Sequence, residues 1–274
     1  MNKTSNDQFF SNLEKFVNKT YPNQSQRIPY MKLKSWPSPK DEAWKFSRLG
    51  KLARKNILPL NLEDNQSYKV NKLIDNSITL TFVNGKFEKK LSDKLLSEII
   101  IEEVKIDDFK DIIHKFDNSS LKYHPTLNST LSCSEKFVQI KFENDTKLSK
   151  PIEIFNLGGT ENSSIHPFIF FDLGKNSDVQ VFQHYSSNAG LTAPLEIINL
   201  SKNSNLEIIK IYDDKINSYN LSLTLSLVKE KANFRSFALI KGSAFTRSEM
   251  HTLLEGEDSQ ADINGIYLSS GNQH

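Results

Sequence analysis

Four short turns in the second half of the chain stand at nearly constant spacing, and that spacing limits the fold more than any other feature of the 274 residues. The turns centre on Ser177, Ser204, Ala232 and Ser259, in steps of 27, 28 and 27 residues. A fixed period of this size marks a stacked repeat architecture. Each unit reads strand, turn, strand. First strands are expected at 165–173, 195–200, 221–227 and 247–254, and second strands begin at Val179, Leu206, Phe234 and Ala261. Leu221, Leu223, Leu225 and Leu227 alternate with Ser and Thr, the period-two pattern of a half-buried strand. The turns carry Asn, Gly and Ser, which tolerate positive φ or bond their own backbone. An isolated strand pair cannot bury its apolar face, whereas stacked rungs cover one another. An Ig-like sandwich would place its turns closer, roughly every 8–12 residues. The expected class is therefore mainly β, a right-handed β-helix or β-solenoid over residues 122–274, behind an N-terminal α-helical cap region over residues 1–121.

The first third has a different texture. Phe9, Phe10, Leu13, Phe16 and Val17 share one helical face. After a Pro- and Ser-containing stretch at 21–40, Asp41-Glu-Ala-Trp-Lys-Phe46 opens a second expected helix that continues through Leu49 and Leu52; its acidic pair suits a helix N-terminus. Residues 78–91 carry Asn84-Gly85 between apolar runs, the signal of a type I′ hairpin. Phe109, Ile112, Ile113 and Phe116 mark another short amphipathic helix. Such a cap would cover an open solenoid end.

Composition narrows the function. A hydrophobic fraction of 37% and a charged fraction of 25% are those of a soluble globular protein, and no apolar run approaches the ~20 residues of a membrane span. With no signal-peptide pattern at the N-terminus, the expected location is cytoplasmic. A net charge of +2 is too small to argue for nucleic acid. The basic group Lys32, Lys34, Lys40, Arg48, Lys51, Arg54 and Lys55 reads as a solvated face. A single cysteine, Cys133, excludes an intrachain disulfide and a cysteine-only metal motif.

Chemistry-bearing motifs are scarce. There is no phosphate-binding loop and no nucleophile elbow. Six histidines (His114, His124, His166, His184, His251 and His274) lack metal-ligand spacing, although stacking could bring His166, His184 and His251 together. Cys133 is expected as a small packed residue rather than a thiolate. Carboxylate pairs at Glu102/Glu103, Asp107/Asp108, Asp213/Asp214 and the Glu255/Glu257/Asp258 group read as solvated turn charge. Phe168, Phe170, Phe171, Phe234 and Phe237 are expected to stack in the core. No catalytic or metal residue is assigned, and no ATP site is expected. A β-helix polysaccharide enzyme is the alternative, because solenoid faces can host carboxylate sites.

The series Arg247-Ser-Glu-Met-His251, Leu254-Glu-Gly-Glu-Asp258, Asn264-Gly-Ile-Tyr-Leu268 and Gly271-Asn-Gln-His274 resembles the SufB/SufD family, scaffold components of the SUF iron–sulfur cluster assembly system. Asp41-Glu-Ala-Trp-Lys-Phe46 and Phe82-Val-Asn-Gly-Lys-Phe87 resemble the SufD branch, and Leu127-Asn128, Lys150-Pro-Ile152 and Ile165-His-Pro167 fall in the matching order. The resemblance implies a noncatalytic subunit that pairs with a SufB-like protein and is coupled to the ATPase SufC. It implies an iron–sulfur cluster held only transiently at the full complex. It also implies a C-terminally truncated chain, since family members continue past the Gln-His segment with further β-helix and a SufC-docking helical domain.

Overall fold

In-phase turns dictate a parallel coil, and that is the observed architecture. The computed structural model describes residues 8–21, 33–47, 49–60, 68–94, 96–116, 121, 123–133 and 137–274. Lys32, Arg48 and most of the 21–40 stretch lie outside the described residues. In chain order the cap supplies α1 (Gln8–Thr20), α2 (Gly50–Ala53), β1 (Leu58–Pro59), β2 (Ile78–Val83), β3 (Lys86–Phe87), β4 (Ile99–Val104), α3 (Lys110–Lys115) and α4 (Pro125–Cys133). The coil then runs through β5 (Phe137–Phe142), β6 (Ile152–Gly158), β7 (Ser163–Ile165), β8 (Phe168–Leu173), β9 (Asp178–Ser187), β10 (Leu191–Thr192), β11 (Leu195–Leu200), β12 (Asn205–Tyr212), β13 (Tyr219–Val228), β14 (Asn233–Lys241), β15 (Phe245–Leu254) and β16 (Gln260–Leu268). These strands make a β-solenoid of about five turns.

Two sheets form the walls. Sheet A contains β5, β8, β11, β13 and β15 with the short strands β1, β7 and β10, and sheet B contains β6, β9, β12, β14 and β16. The register repeats the sequence period: Asp178 pairs Asn205, Asn205 pairs Asn233, and Asn233 pairs Gln260. One left-handed residue sits in each of the four turns, Asn176, Asn203, Lys231 and Asp258, with φ between 56 and 60°. A fifth, Asp145 at φ 63°, marks an earlier turn whose spacing of 31 residues hid it from the periodicity. Asn203 Nδ2 donates to Asn176 Oδ1 at 3.0 Å, and Asn176 Nδ2 to Asp145 Oδ1 at 2.7 Å, so the turns are tied along the stack. Ser177, Ser204 and Ser259 each close their turn by donating to the carbonyl three residues back.

Strands alternate between an inner and an outer face. Ile169, Phe171, Ile198, Leu200, Val228, Leu206, Ile208 and Phe234 fill the apolar half of the lumen. Positions one residue off in sheet A point outward and are covered by the cap. Leu223 and Leu225 pack with Phe109, Ile113, Leu127 and Phe168, and Leu221 with Phe9, Phe10, Trp36 and Trp44. Full burial of each such leucine contributes roughly 1.5–3 kcal/mol.

Several local expectations differ from the outcome. The 165–173 strand divides into β7 and β8 because Pro167 has no N–H for the ladder. The 41–52 helix is a 3-10 turn at Glu42–Trp44 followed by the four-residue α2, because Trp44 and Ser47 are held by contacts from Arg247. The hairpin turns at Asn84 (φ 54°) and Gly85 (φ 83°), but its return strand β3 is two residues long. Its first strand, β2, pairs in parallel with β6 and so continues sheet B, while β4 pairs antiparallel with β5 at the end of sheet A. Residues on both sides of position 122 therefore share one core. Phe168, Phe170, Phe171 and Phe234 are buried, whereas Phe237 faces outward from sheet B and is half-buried.

Candidate functional site

On the outer face of sheet A the column of leucines ends abruptly. Leu221, Leu223 and Leu225 of β13 pair in register with Arg247, Glu249 and His251 of β15. One turn of the coil replaces an apolar stripe with three polar, titratable side chains at alternate positions, all on one face. Arg247 donates to Glu249 Oε2 from Nε at 2.8 Å and from Nη2 at 2.5 Å, and from Nη1 to Ser47 Oγ at 2.8 Å. Its guanidinium carbon lies 4.1 Å from the centre of the Trp44 ring, a cation–π contact. His251 Nε2 lies 2.9 Å from Glu249 Oε1, and His124 Nε2 lies 3.5 Å from Oε2. The Glu249 carboxylate is thus surrounded by one guanidinium and two imidazoles, drawn from β15 and from the turn before α4.

Electrostatics follow from this arrangement. Burial opposes ionisation of Glu249, but contacts from His124 and His251 and the hydrogen bonds from Arg247 outweigh it and hold the carboxyl well below the usual range. His124 is buried, and desolvation lowers its pKa more than the neighbouring carboxylate raises it, so it stays neutral. The cluster is a polar clamp between the cap and the fifth turn. It leaves no lone pair of carboxylates poised for acid–base work.

A second cluster lies inside the coil. Glu196 of β11 and Lys210 of β12 form an ion pair in the lumen, both nearly fully buried. Tyr185 donates to Glu196 Oε1 at 2.7 Å, and Lys210 donates to Thr224 Oγ1 at 2.8 Å. Burial opposes charging of both groups, yet their mutual attraction leaves Glu196 lowered and Lys210 raised. Tyr185 and Tyr212 stack above one another at 4.8 Å. A third region is a cavity of about 430 Å³ between the cap and the first turn, lined in part by Cys133, His166, Glu102, Glu103 and Lys86. His166 Nε2 lies 3.0 Å from Ser164 Oγ, and desolvation lowers its imidazole pKa to about 3.

The histidines singled out by the sequence are dispersed. His166 stands at the β7–β8 corner, His184 on sheet B beside Glu153 at 3.0 Å, and His251 on sheet A, so stacking does not bring these three together. His114 is exposed on α3, and His274 stacks on Phe245 at 5.2 Å. Among the described residues no group of three or more His, Cys, Asp or Glu is placed to hold a metal ion. The Asp213/Asp214 pair divides: Asp213 is exposed and pairs Lys241 at 2.9 Å, while Asp214 is buried and accepts from Ser187 N and Asn220 Nδ2. Glu255 pairs Lys115 at 2.6 Å, and Glu257 and Asp258 are exposed. Sequence reasoning missed His124 as a partner of Glu249, because 125 positions separate them. The available signal was the break in the leucine alternation at β15.

The stacked rungs with this polar fifth turn define a β-solenoid core of a recognisable class. Residues 155–274 match the family described as SUF system FeS cluster assembly, SufBD core domain. The chain is also 24% identical over 263 residues to "Iron-sulfur cluster assembly protein SufD" of Escherichia coli (strain K12), covering 93% of this chain and 61% of that protein. The chain is thus similar to the SufBD core over its coil and to a SufD protein over most of its length. It spans about 61% of the length of the curated relative. No helix among the described residues is long and apolar enough to cross a membrane.

Proposed function

We propose that this chain is a cytoplasmic scaffold subunit of a SUF iron–sulfur cluster assembly complex, pairing with a SufB-like subunit and coupled to a SufC-type ATPase. The observation that carries the reading is the match of residues 155–274 to the SufBD core domain, over the same coil that the period of 27 and 28 residues builds. The iron–sulfur cluster is cargo of the assembled complex rather than a resident group of this chain. The chain works by shape, and its buried polar clusters lock the cap and the turns together. Support for a noncatalytic role comes from the titratable groups. Glu249, Glu196 and Glu153 are each occupied by internal partners, which leaves them committed to structure.

Co-expression with the SufB- and SufC-like proteins of the same cell, followed by anaerobic affinity purification, tests the reading. A stoichiometric complex is expected. Recovery of this protein alone, while the other two co-purify with each other, overturns it.

A further inference from the structure

The lumen of the coil has two halves. Phe171, Ile198, Leu200 and Phe234 fill one. The other carries the Glu196–Lys210 pair and a set of uncharged polar side chains that face inward by strand alternation. Gln183 of β9 pairs in register with Ile154 of the apolar lumen cluster and with Lys210. Asn156 of β6 stands between Phe82 and Tyr185. Leu191 and Tyr219 pack outward against the cap, so Thr192 and Asn220, one residue on and paired in register, point in. All four are buried, with Gln183, Thr192 and Asn220 at 0% exposure. Yet five of their polar atoms have no hydrogen-bond partner among the described residues: both amide atoms of Gln183, Asn156 Oδ1, Thr192 Oγ1 and Asn220 Oδ1. The two asparagines are oriented by their own donors, Asn156 Nδ2 to the His184 carbonyl at 3.4 Å and Asn220 Nδ2 to Asp214 Oδ2 at 2.7 Å, which leaves the amide oxygens free.

We propose that the polar half of the lumen binds internal water, with one molecule bridging Lys210 Nζ and the Gln183 amide and a second held between Thr192 Oγ1 and Asn220 Oδ1. Buried polar groups in folded proteins pair with protein or with ordered water. Gln183 sets the strictest condition, since its amide needs a donor and an acceptor at once. Beside it, Lys210 directs two of its three N–H groups at Glu196 Oε2 and Thr224 Oγ1, and Thr224 donates in turn to Glu196 Oε2. The third N–H has no protein acceptor among the described residues. Water accepts from Lys210 and donates to Gln183 Oε1, so it meets both needs. A cation is opposed by the ammonium of Lys210, an anion by the carboxylate of Glu196, and an apolar ligand leaves the amide unpaired. Short side chains make the room. Thr192, Thr224 and Ala238, the residue paired with Lys210, line this half where the other half carries phenylalanine, leucine and isoleucine. Bulk solvent does not reach these atoms, so the water is internal and long-lived. It completes the hydrogen bonding that a buried ion pair requires.

A crystal structure of the purified 274-residue chain, at a resolution that shows ordered solvent, is the test. A water peak is expected within ~2.7–3.2 Å of Lys210 Nζ and of a Gln183 amide atom. Magnetic relaxation dispersion of the solvent counts long-lived internal waters. It is expected to lose at least one in Gln183→Leu and at least one in Thr192→Val, with thermal melting confirming that both variants are folded. Where a variant fails to fold, the wild-type density decides alone. A lumen without solvent density at Gln183 overturns the proposal, as does a Gln183 amide turned onto a protein partner or a metal ion in the water's place. So do folded variants that keep the wild-type count.

Discussion

Asn176, Asn203, Lys231 and Asp258 show how a single backbone angle is written into a sequence. Each occupies the left-handed region, which Asn and Asp tolerate and lysine does not favour. Lys231 breaks the asparagine run, and beside it Ala232 replaces the serine that closes the neighbouring turns, yet the coil keeps its phase because the ladders on either side fix the register. Glu249 carries more weight. Its carboxyl is held below the ordinary value, so its contribution to stability is present in full above about pH 4.5 and is lost as pH falls through the lowered folded value. Glu249→Gln keeps the shape and removes the charge that Arg247 meets. Denaturant unfolding is expected to show a loss of about 1.5–3 kcal/mol at neutral pH, with the gap from wild type narrowing in acid. A gap independent of pH would mean that the clamp does not depend on the ionised carboxylate.

At the scale of the element, the interior of the coil sets the stakes. Lys210 of β12 and Glu196 of β11 share a lumen that solvent does not reach. Removing one partner strands the other charge, so Lys210→Met is expected to cost about 3–5 kcal/mol. Pairing it with Glu196→Gln should recover much of the loss, and chemical denaturation of the two variants measures this. Additive losses would contradict a coupled pair. The strands that carry these residues were legible because their alternation and turns recur in phase. Helix α4 was not, since Thr126, Ser129, Thr130 and Ser132 are all buried and leave no amphipathic stripe. Thr126 and Thr130 satisfy themselves by donating to the carbonyls of Leu221 and Ala193, contacts that only tertiary structure reveals. The 41–52 segment misled for a related reason: its helical pattern gives way to the contacts that Trp44 and Ser47 make with Arg247, some 200 residues downstream. The candidate site was half legible, since Arg247, Glu249 and His251 lie together in the sequence, while His124 and Trp44 arrive through the fold.

The whole molecule is a coil clasped along one wall by its own N-terminal third. Apolar packing between cap and sheet A fixes the early turns, and the Arg247–Glu249 clamp carries the same attachment to the fifth. A protein built this way presents long, regular surfaces and keeps its buried charged groups Glu196, Lys210, Glu153 and Asp214 occupied, which suits a part that holds other components in place. The proposed service in iron–sulfur cluster assembly is read in the cluster content of client proteins. Depleting this protein in its own cell, with the clients' polypeptide levels followed in parallel, is expected to lower the iron and acid-labile sulfide bound per client. Undiminished cluster loading after depletion, in a cell with no other assembly route, would contradict the account.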